Sequence, residues 1–202
     1  MRLTLKRTII IASLLSIFSA TSYAEDNFRG SAELSLMYKD KSQKEFQAKH
    51  RLDIEHKWDD WKHNYLLDVF FKSTQKVDPE TGEKNYETSA QKWYLMAQTN
   101  YTMSKTSKQY TFGHMSYTDD RFSNYDYQSS YAVGYGKRWF EFGDSYFDAE
   151  IGLGFSMDKP KLDDVENKSI VRIASTFERK LLSDIDFKQT FGADLATQSD
   201  EN

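Results

Sequence analysis

An all-β fold, specifically an antiparallel up-and-down β-barrel, is what this sequence predicts, on three observations. Side-chain character alternates with period two in one segment after another. After the first residues there is no apolar run long enough to form a membrane-crossing helix. The connections between the alternating segments are short and long by turns.

The N-terminus carries an export address. Arg2, Lys6 and Arg7 form a positive region, Thr8 to Ser19 an apolar core, and Ser22-Tyr23-Ala24 a small-x-small cleavage site. The apolar core is about a dozen residues, whereas a spanning helix needs about twenty. Residues 1–24 are therefore read as a cleaved signal peptide, and residues 25–202 as one β-barrel domain of 202 − 24 = 178 residues. Losing three positive charges takes the formal net charge from −4 to −7, which argues against nucleic acid as a partner. The chain has no cysteine, so neither disulfides nor thiol chemistry enter, and its two prolines, Pro79 and Pro160, fall in stretches read as loops.

The alternation is clearest in the second segment. Phe46, Ala48, His50, Leu52, Ile54, His56 and Trp58 share one face, and Gln47, Lys49, Arg51, Asp53, Glu55 and Lys57 the other. A helix would spread those charges over every side, because its neighbours lie three and four residues apart. Before it, Ala32, Leu34, Leu36 and Tyr38 alternate with Glu33 and Ser35. After it come Trp61, His63, Tyr65, Leu67, Val69 and Phe71, then Trp93, Leu95, Ala97 and Tyr101. Gln109 to Tyr117 is ambiguous in register. The pattern resumes with Tyr127, Tyr131, Val133 and Tyr135, then with Phe147 to Phe155, Ser169 to Phe177 and Ile185 to Leu195. This makes about nine strands.

The expected short connections are Asp59-Asp60, Met103 to Thr106, Phe140 to Ser145 and Leu182 to Asp184. The expected upper ones are Lys39 to Gln43, Thr74 to Thr88, Thr118 to Asn124 and Met157 to Asn167, all but the first of them long. Such segregation, with aromatic residues at both strand ends (Trp58, Trp61, Tyr101 and Trp139 below; Tyr38, Phe46, Phe71, Tyr125 and Tyr127 above), points to a transmembrane barrel with aromatic girdles. In lipid an unpaired strand edge is costly, so such a sheet has to close. Bacterial single-chain barrels have even strand numbers. The odd count and the polar ending Glu201-Asn202 therefore lead this reading to expect a C-terminally truncated barrel.

Three stretches carry a family resemblance: Arg29-Gly30-Ser31-Ala32-Glu33-Leu34, Asp120-Arg121-Phe122-Ser123-Asn124-Tyr125-Asp126-Tyr127-Gln128, and Gly134-Tyr135-Gly136. Through them the chain resembles the DUF481 family of YdiY-like proteins, described as salt-induced outer-membrane proteins. The resemblance implies an outer-membrane barrel of unassigned molecular function, a link to salt or osmotic stress, and no catalytic residues.

The face opposite the apolar one is rich in both signs of charge. Glu33, Lys49, Arg51, Asp53, Glu55, Asp68, Lys72, Arg138, Asp148, Glu150, Arg172 and Glu178 are the candidate lumen-lining residues. They are read as a lumen of compensated ion pairs and water, or as a narrow hydrophilic pore. Gly134, Gly136, Gly152 and Gly154 fall on the same face and would leave a cleft unless large neighbours fill it. His50, His56 and His63 sit on the apolar face, where packing is their expected role. No Gly-x-Ser-x-Gly occurs, and His114 is the one histidine placed near the upper loops, so no catalytic residue, metal or cofactor is expected. Asp119, Asp120, Arg121 and Tyr125 are the extracellular-loop candidates; they lack a calcium-loop spacing.

The expectation is a non-enzymatic outer-membrane barrel of the bacterial envelope. Its partners would be outer-membrane lipid, lipopolysaccharide and the barrel-assembly machinery. The alternative is a soluble periplasmic barrel binding a small apolar ligand, in which the alternation inverts and Leu52, Ile54 and Val69 point inward.

Overall fold

A computed structural model describes residues 27–40, 44–143, 145–182 and 185–197. The signal-peptide reading, the tip of the first upper turn, the turn after Leu182 and the ending Glu201-Asn202 lie outside the described residues.

Nine strands follow one another: β1 (Phe28–Asp40), β2 (Lys44–Trp58), β3 (Trp61–Val77), β4 (Lys84–Ser104), β5 (Gln109–Asp120), β6 (Tyr125–Phe142), β7 (Ser145–Pro160), β8 (Glu166–Leu182) and β9 (Ile185–Ala196). Each pairs antiparallel with the next in a single sheet of order β1 to β9, so the topology is the up-and-down one the alternation predicts. Among the described residues no ladder joins β9 to β1, and β1 is exposed along its whole length.

The register keeps each parity on one face from strand to strand. Leu34 pairs with His50, His50 with Val69, Val69 with Trp93, and Leu95 with Tyr117. This is the face of the apolar series. The opposite series turns inward on the concave side of the curled sheet, where Phe112 (3% exposed), Ile170 (3%), Ala132 (4%) and His114 (6%) form the best-shielded patch. The register of β5, open on sequence alone, is thereby settled: Tyr110, Phe112, His114 and Ser116 face inward.

Several boundaries differ from expectation, each for a physical reason. The stretch Thr74 to Thr88 is mostly strand. Thr74 pairs with Glu87 and Lys76 with Asn85, Lys76 bridges to Glu87 at 2.8 Å, and Thr74 Oγ1 lies 2.8 Å from Ser89 Oγ. Only residues 78–83 form the loop. There the Asp78 carboxylate accepts the Glu80 and Thr81 N–H groups at 2.8 and 3.2 Å, and Gly82 takes a φ of 69°. These two backbone donors hold the Asp78 carboxyl below the usual aspartate range.

The turn placed at Met103 to Thr106 lies instead at residues 105–108, with Lys108 at φ 54°. At the next turn β6 runs to Phe142, so residues 143–144 alone separate it from Ser145, and Gly143 has a φ of 56°. The connections expected at Thr118 to Asn124 and Met157 to Asn167 shorten to residues 121–124 and 161–165. Pro160 is not in a loop: it is the last residue of β7, paired with Tyr125, where the ladder ends and its missing N–H costs little.

Candidate functional site, a polar chamber on the concave face

The chamber begins with glycines. Three rows of directly paired residues cross β5 to β8: Tyr110, Gly136, Glu150, Ala174; then Phe112, Gly134, Gly152, Arg172; then His114, Ala132, Gly154, Ile170. A large residue on β5 thus meets small ones on β6 and, in the last two rows, on β7. The Phe112 ring lies over Gly134 and Gly152, where an added Cβ would stand 2.7 and 2.9 Å from ring carbons. A Cβ on Gly136 would fall on the Tyr110 ring. The cleft expected at the four glycines is therefore filled at Gly134, Gly136 and Gly152 by Phe112 and Tyr110, while at Gly154 the space is taken by the β6 backbone at Tyr131 and Ala132. The signal was the aromatic spacing of Gln109 to Tyr117, whose register could not be read.

With no side chain at Gly136 in the way, Tyr110 reaches along its row and donates its hydroxyl to Glu150 Oε1 at 2.9 Å. Gln98 of β4 donates Nε2 to the same oxygen at 2.9 Å, over the small β6 residues Ala132, Gly134 and Gly136, and to Asn100 Oδ1 at 3.1 Å. His114 Nδ1 lies 3.2 Å from Gln98 Oε1. The expectation that His114 sits near the upper loops is corrected: it is shielded in mid-strand on the concave face.

Beside this network lies a cavity of about 620 Å³, with walls from β2, β3, β4, β5, β7, β8 and β9. Its ionic lining is balanced: four cations (Arg51, Lys62, Arg172, Lys188) face four carboxylates (Asp53, Asp148, Glu150, Asp194). Five of these eight have ionic partners among the described residues, Arg172 and Asp194 each other and the rest groups on the same face just outside the wall. Arg172 Nη1 donates to Asp194 at 2.8 Å, Arg138 makes a two-pronged contact with Asp148 at 2.7 and 2.9 Å, Lys62 meets Glu55 at 2.8 Å, and Arg51 stands 3.6 Å from Asp68. Arg138 also lies 3.8 Å over the Tyr146 ring.

Of the lining candidates, Arg51, Asp53, Asp148, Glu150 and Arg172 border this cavity. Glu33, Lys49, Glu55, Asp68, Lys72, Arg138 and Glu178 share its face by register but lie outside its wall. Glu33 is directly opposite Arg51, Lys49 stands 3.9 Å from Asp68, Lys72 pairs with Glu45 at 3.4 Å, and Glu178 accepts from Tyr146 at 2.8 Å. Sequence reading missed Tyr94, Gln98, Tyr110 and Tyr146. All four sit at inward parity, but nothing local distinguishes an inward phenol from an outward one.

The loop candidates form a built corner. The Asp120 carboxylate accepts the Phe122 N–H at 3.0 Å, its carbonyl accepts the Ser123 N–H at 3.0 Å, and the Arg121 N–H reaches Gln91 O at 3.0 Å. Lys161 binds the corner twice, through its N–H to Asn124 O at 3.0 Å and its Nζ to Arg121 O at 2.7 Å. Asp119 pairs with Trp93, and Tyr125 opens β6. Among the described residues no group of three or more His, Asp or Glu side chains could hold a metal ion.

On the convex face, Leu52 and Ile54 line a shallow apolar groove with Leu67, Leu95 and Met115, and Val69 shares their parity. The inverted alternation that a soluble apolar-ligand barrel needs is therefore not the one adopted. Large apolar residues stand exposed along this face, including Leu34, Tyr65, Leu95, Met115, Ile151 and Phe191, with Val133 and Leu153 each 69% exposed. Beside the short Asp59-Asp60 turn, the rings of Phe28, His56, His63 and Trp61 form a run with centroids 5.9 to 6.4 Å apart, and Trp61 meets Tyr101 at 4.9 Å. At the opposite end Tyr117 stacks on Tyr127 at 5.9 Å.

No curated protein and no solved structure matches the chain. A family model, described as a protein of unknown function, DUF481, matches residues 32–202. Since that span covers most of the chain, the protein belongs to the DUF481 family.

Proposed function

We propose that this protein is a non-enzymatic outer-membrane β-barrel of the bacterial envelope, its convex face in lipid and its concave face a water-filled polar interior. One observation carries the reading: the sheet exposes its large apolar side chains on the convex face while ions and hydrogen-bonding groups gather on the concave one. In water that convex belt would be an aggregation surface, since soluble monomers rarely expose apolar patches beyond a few hundred Å². In a bilayer it is the face that a spanning strand requires. The ring clusters at the two strand ends suit headgroup depth, and the short turns at one end suit the periplasmic side.

The non-enzymatic reading is supported by how the chamber uses its groups. Its carboxylates and guanidiniums are largely spent on ionic partners in or beside the wall, and among the described residues of the chamber no serine or threonine hydroxyl is hydrogen-bonded to a histidine. Outer-membrane fractionation with gel mobility before and after boiling tests the proposal. Sedimentation with the outer membrane and faster migration unboiled are expected; recovery in the soluble periplasmic fraction overturns it.

A further inference from the structure

We infer that the concave chamber is a binding site for a small uncharged polyhydroxylated solute of the saccharide class, held by hydroxyl groups between Glu150 and Arg172. This deepens the reading above by naming what the interior takes. It depends on the polarity of the concave face, not on the bilayer.

The argument rests on unused hydrogen-bonding capacity. Both bonds to the Glu150 carboxylate, from Tyr110 and Gln98, fall on Oε1. Oε2 has no partner among the described residues, and it is not among the fully shielded polar atoms, so it opens on the cavity that Glu150 lines. Among the described residues no cation stands within ion-pair distance of this carboxylate: neutral donors hold it, as suits an acceptor for hydroxyl groups.

On the next strand Arg172 spends only Nη1 on Asp194; Nε is shielded, but Nη2 has no acceptor among the described residues and is not among the fully shielded polar atoms, so it is the donor that faces the cavity. Glu150 pairs with Ala174 and Gly152 with Arg172, so Glu150 and Arg172 are diagonal neighbours on one face. Long side chains at such a diagonal reach into a common space. A diol there donates one hydroxyl to Glu150 Oε2 and accepts a guanidinium N–H at the other.

Charge selects against ions. Arg172 is already neutralised by Asp194 at 2.8 Å, and the lining carries four cations against four carboxylates, so an ion leaving water finds no net compensation. A hydroxyl still gains charge-assisted bonds. A volume of about 620 Å³ lies within the range of small-molecule sites.

Saturation-transfer NMR on the full chain, folded in a polyoxyethylene detergent that carries no sugar, tests this with sucrose, acetate and glycine as probes. Sucrose is expected to bind at least tenfold more tightly than either charged probe. Glu150→Gln, which keeps an oxygen for Tyr110 but replaces the free acceptor with a donor, is expected to weaken sucrose at least tenfold. Glu33→Gln, on the same face outside the chamber wall, is expected to leave it unchanged. Acetate or glycine binding as tightly as sucrose, no sucrose binding, or sucrose binding indifferent to Glu150→Gln overturns the inference. Should fractionation place the chain in the soluble periplasm, the membrane reading fails while this test still reads in plain buffer.

Discussion

Phe112→Ala is the substitution whose cost follows most directly from the geometry of the glycine rows. The ring is 3% exposed and lies over Gly134 and Gly152, where no side chain can move in to replace it. A buried phenylalanine removes ~150–250 Å² from solvent, which at ~25 cal/mol/Å² amounts to about 4–6 kcal/mol. Alanine retains the Cβ and water can enter a polar chamber, so the expected loss is about 3 kcal/mol, the low end for Phe→Ala.

Urea titration of the folded protein, followed by tryptophan fluorescence and the unboiled gel band, measures it. Gly134→Ala approaches the same packing from the other side, since its Cβ would stand 2.7 Å from the Phe112 ring and 2.5 Å from Gly152 Cα. Overpacking of that kind costs about 1–3 kcal/mol. Removing Phe112 relieves the ring contact and leaves the backbone one, so the double variant is expected to show a coupling of about 0.5–1 kcal/mol, short of full rescue. A Phe112→Ala loss under about 1 kcal/mol, or strict additivity with Gly134→Ala, would refute the claim that the ring and the glycines form one packed unit.

Other consequences are simpler to read. Arg138→Ala strips Asp148 of its two-pronged partner and Tyr146 of its stacked cation, and is expected to cost about 2–3 kcal/mol in the same titration, discounted for partial solvation. The Asp78 carboxyl is depressed in the folded hairpin, so its contribution is present above the ordinary aspartate range and is lost as pH falls through and below it. The protection factors of the Glu80 and Thr81 amides, exchange rates corrected for the slower intrinsic exchange in acid, are therefore expected to fall on acidification, and Asp78→Asn to flatten that dependence. Val133→Arg, near the middle of β6 on the convex face, is expected to reduce folding into lipid vesicles by about 2–4 kcal/mol. Unchanged vesicle folding of that variant would count against lipid contact at that face.

Much of the fold was legible because one face of most strands is uniformly apolar. In β2 and β3, seven and six residues in strict alternation fixed both strand identity and side. β5 was not legible because its inward face carries Phe112 while its outward face carries Thr111 and Gly113. That inversion makes sense only beside Gly134 and Gly152, which are distant in sequence. The outer half of the β3–β4 hairpin was missed because Ser73 to Val77 and Lys84 to Thr88 are strands by virtue of polar cross-strand pairs, with no apolar series to announce them. The same limit applies to the chamber. Parity places Arg51, Glu150 and Arg172 on one face, but the bond from Gln98 to Glu150 joins residues 52 apart and depends on small residues between them.

The central claim is that one face of this sheet meets lipid and the other water. Because the chain has no native cysteine, single cysteines can be introduced on either side without background. Ser116→Cys and Thr190→Cys lie on the chamber wall, and Val133→Cys and Leu153→Cys on the convex face. In protein folded into vesicles, a water-soluble maleimide is predicted to label the chamber pair readily and the convex pair only after unfolding. Labelling of Val133→Cys and Leu153→Cys at the rate of the chamber pair would contradict the account.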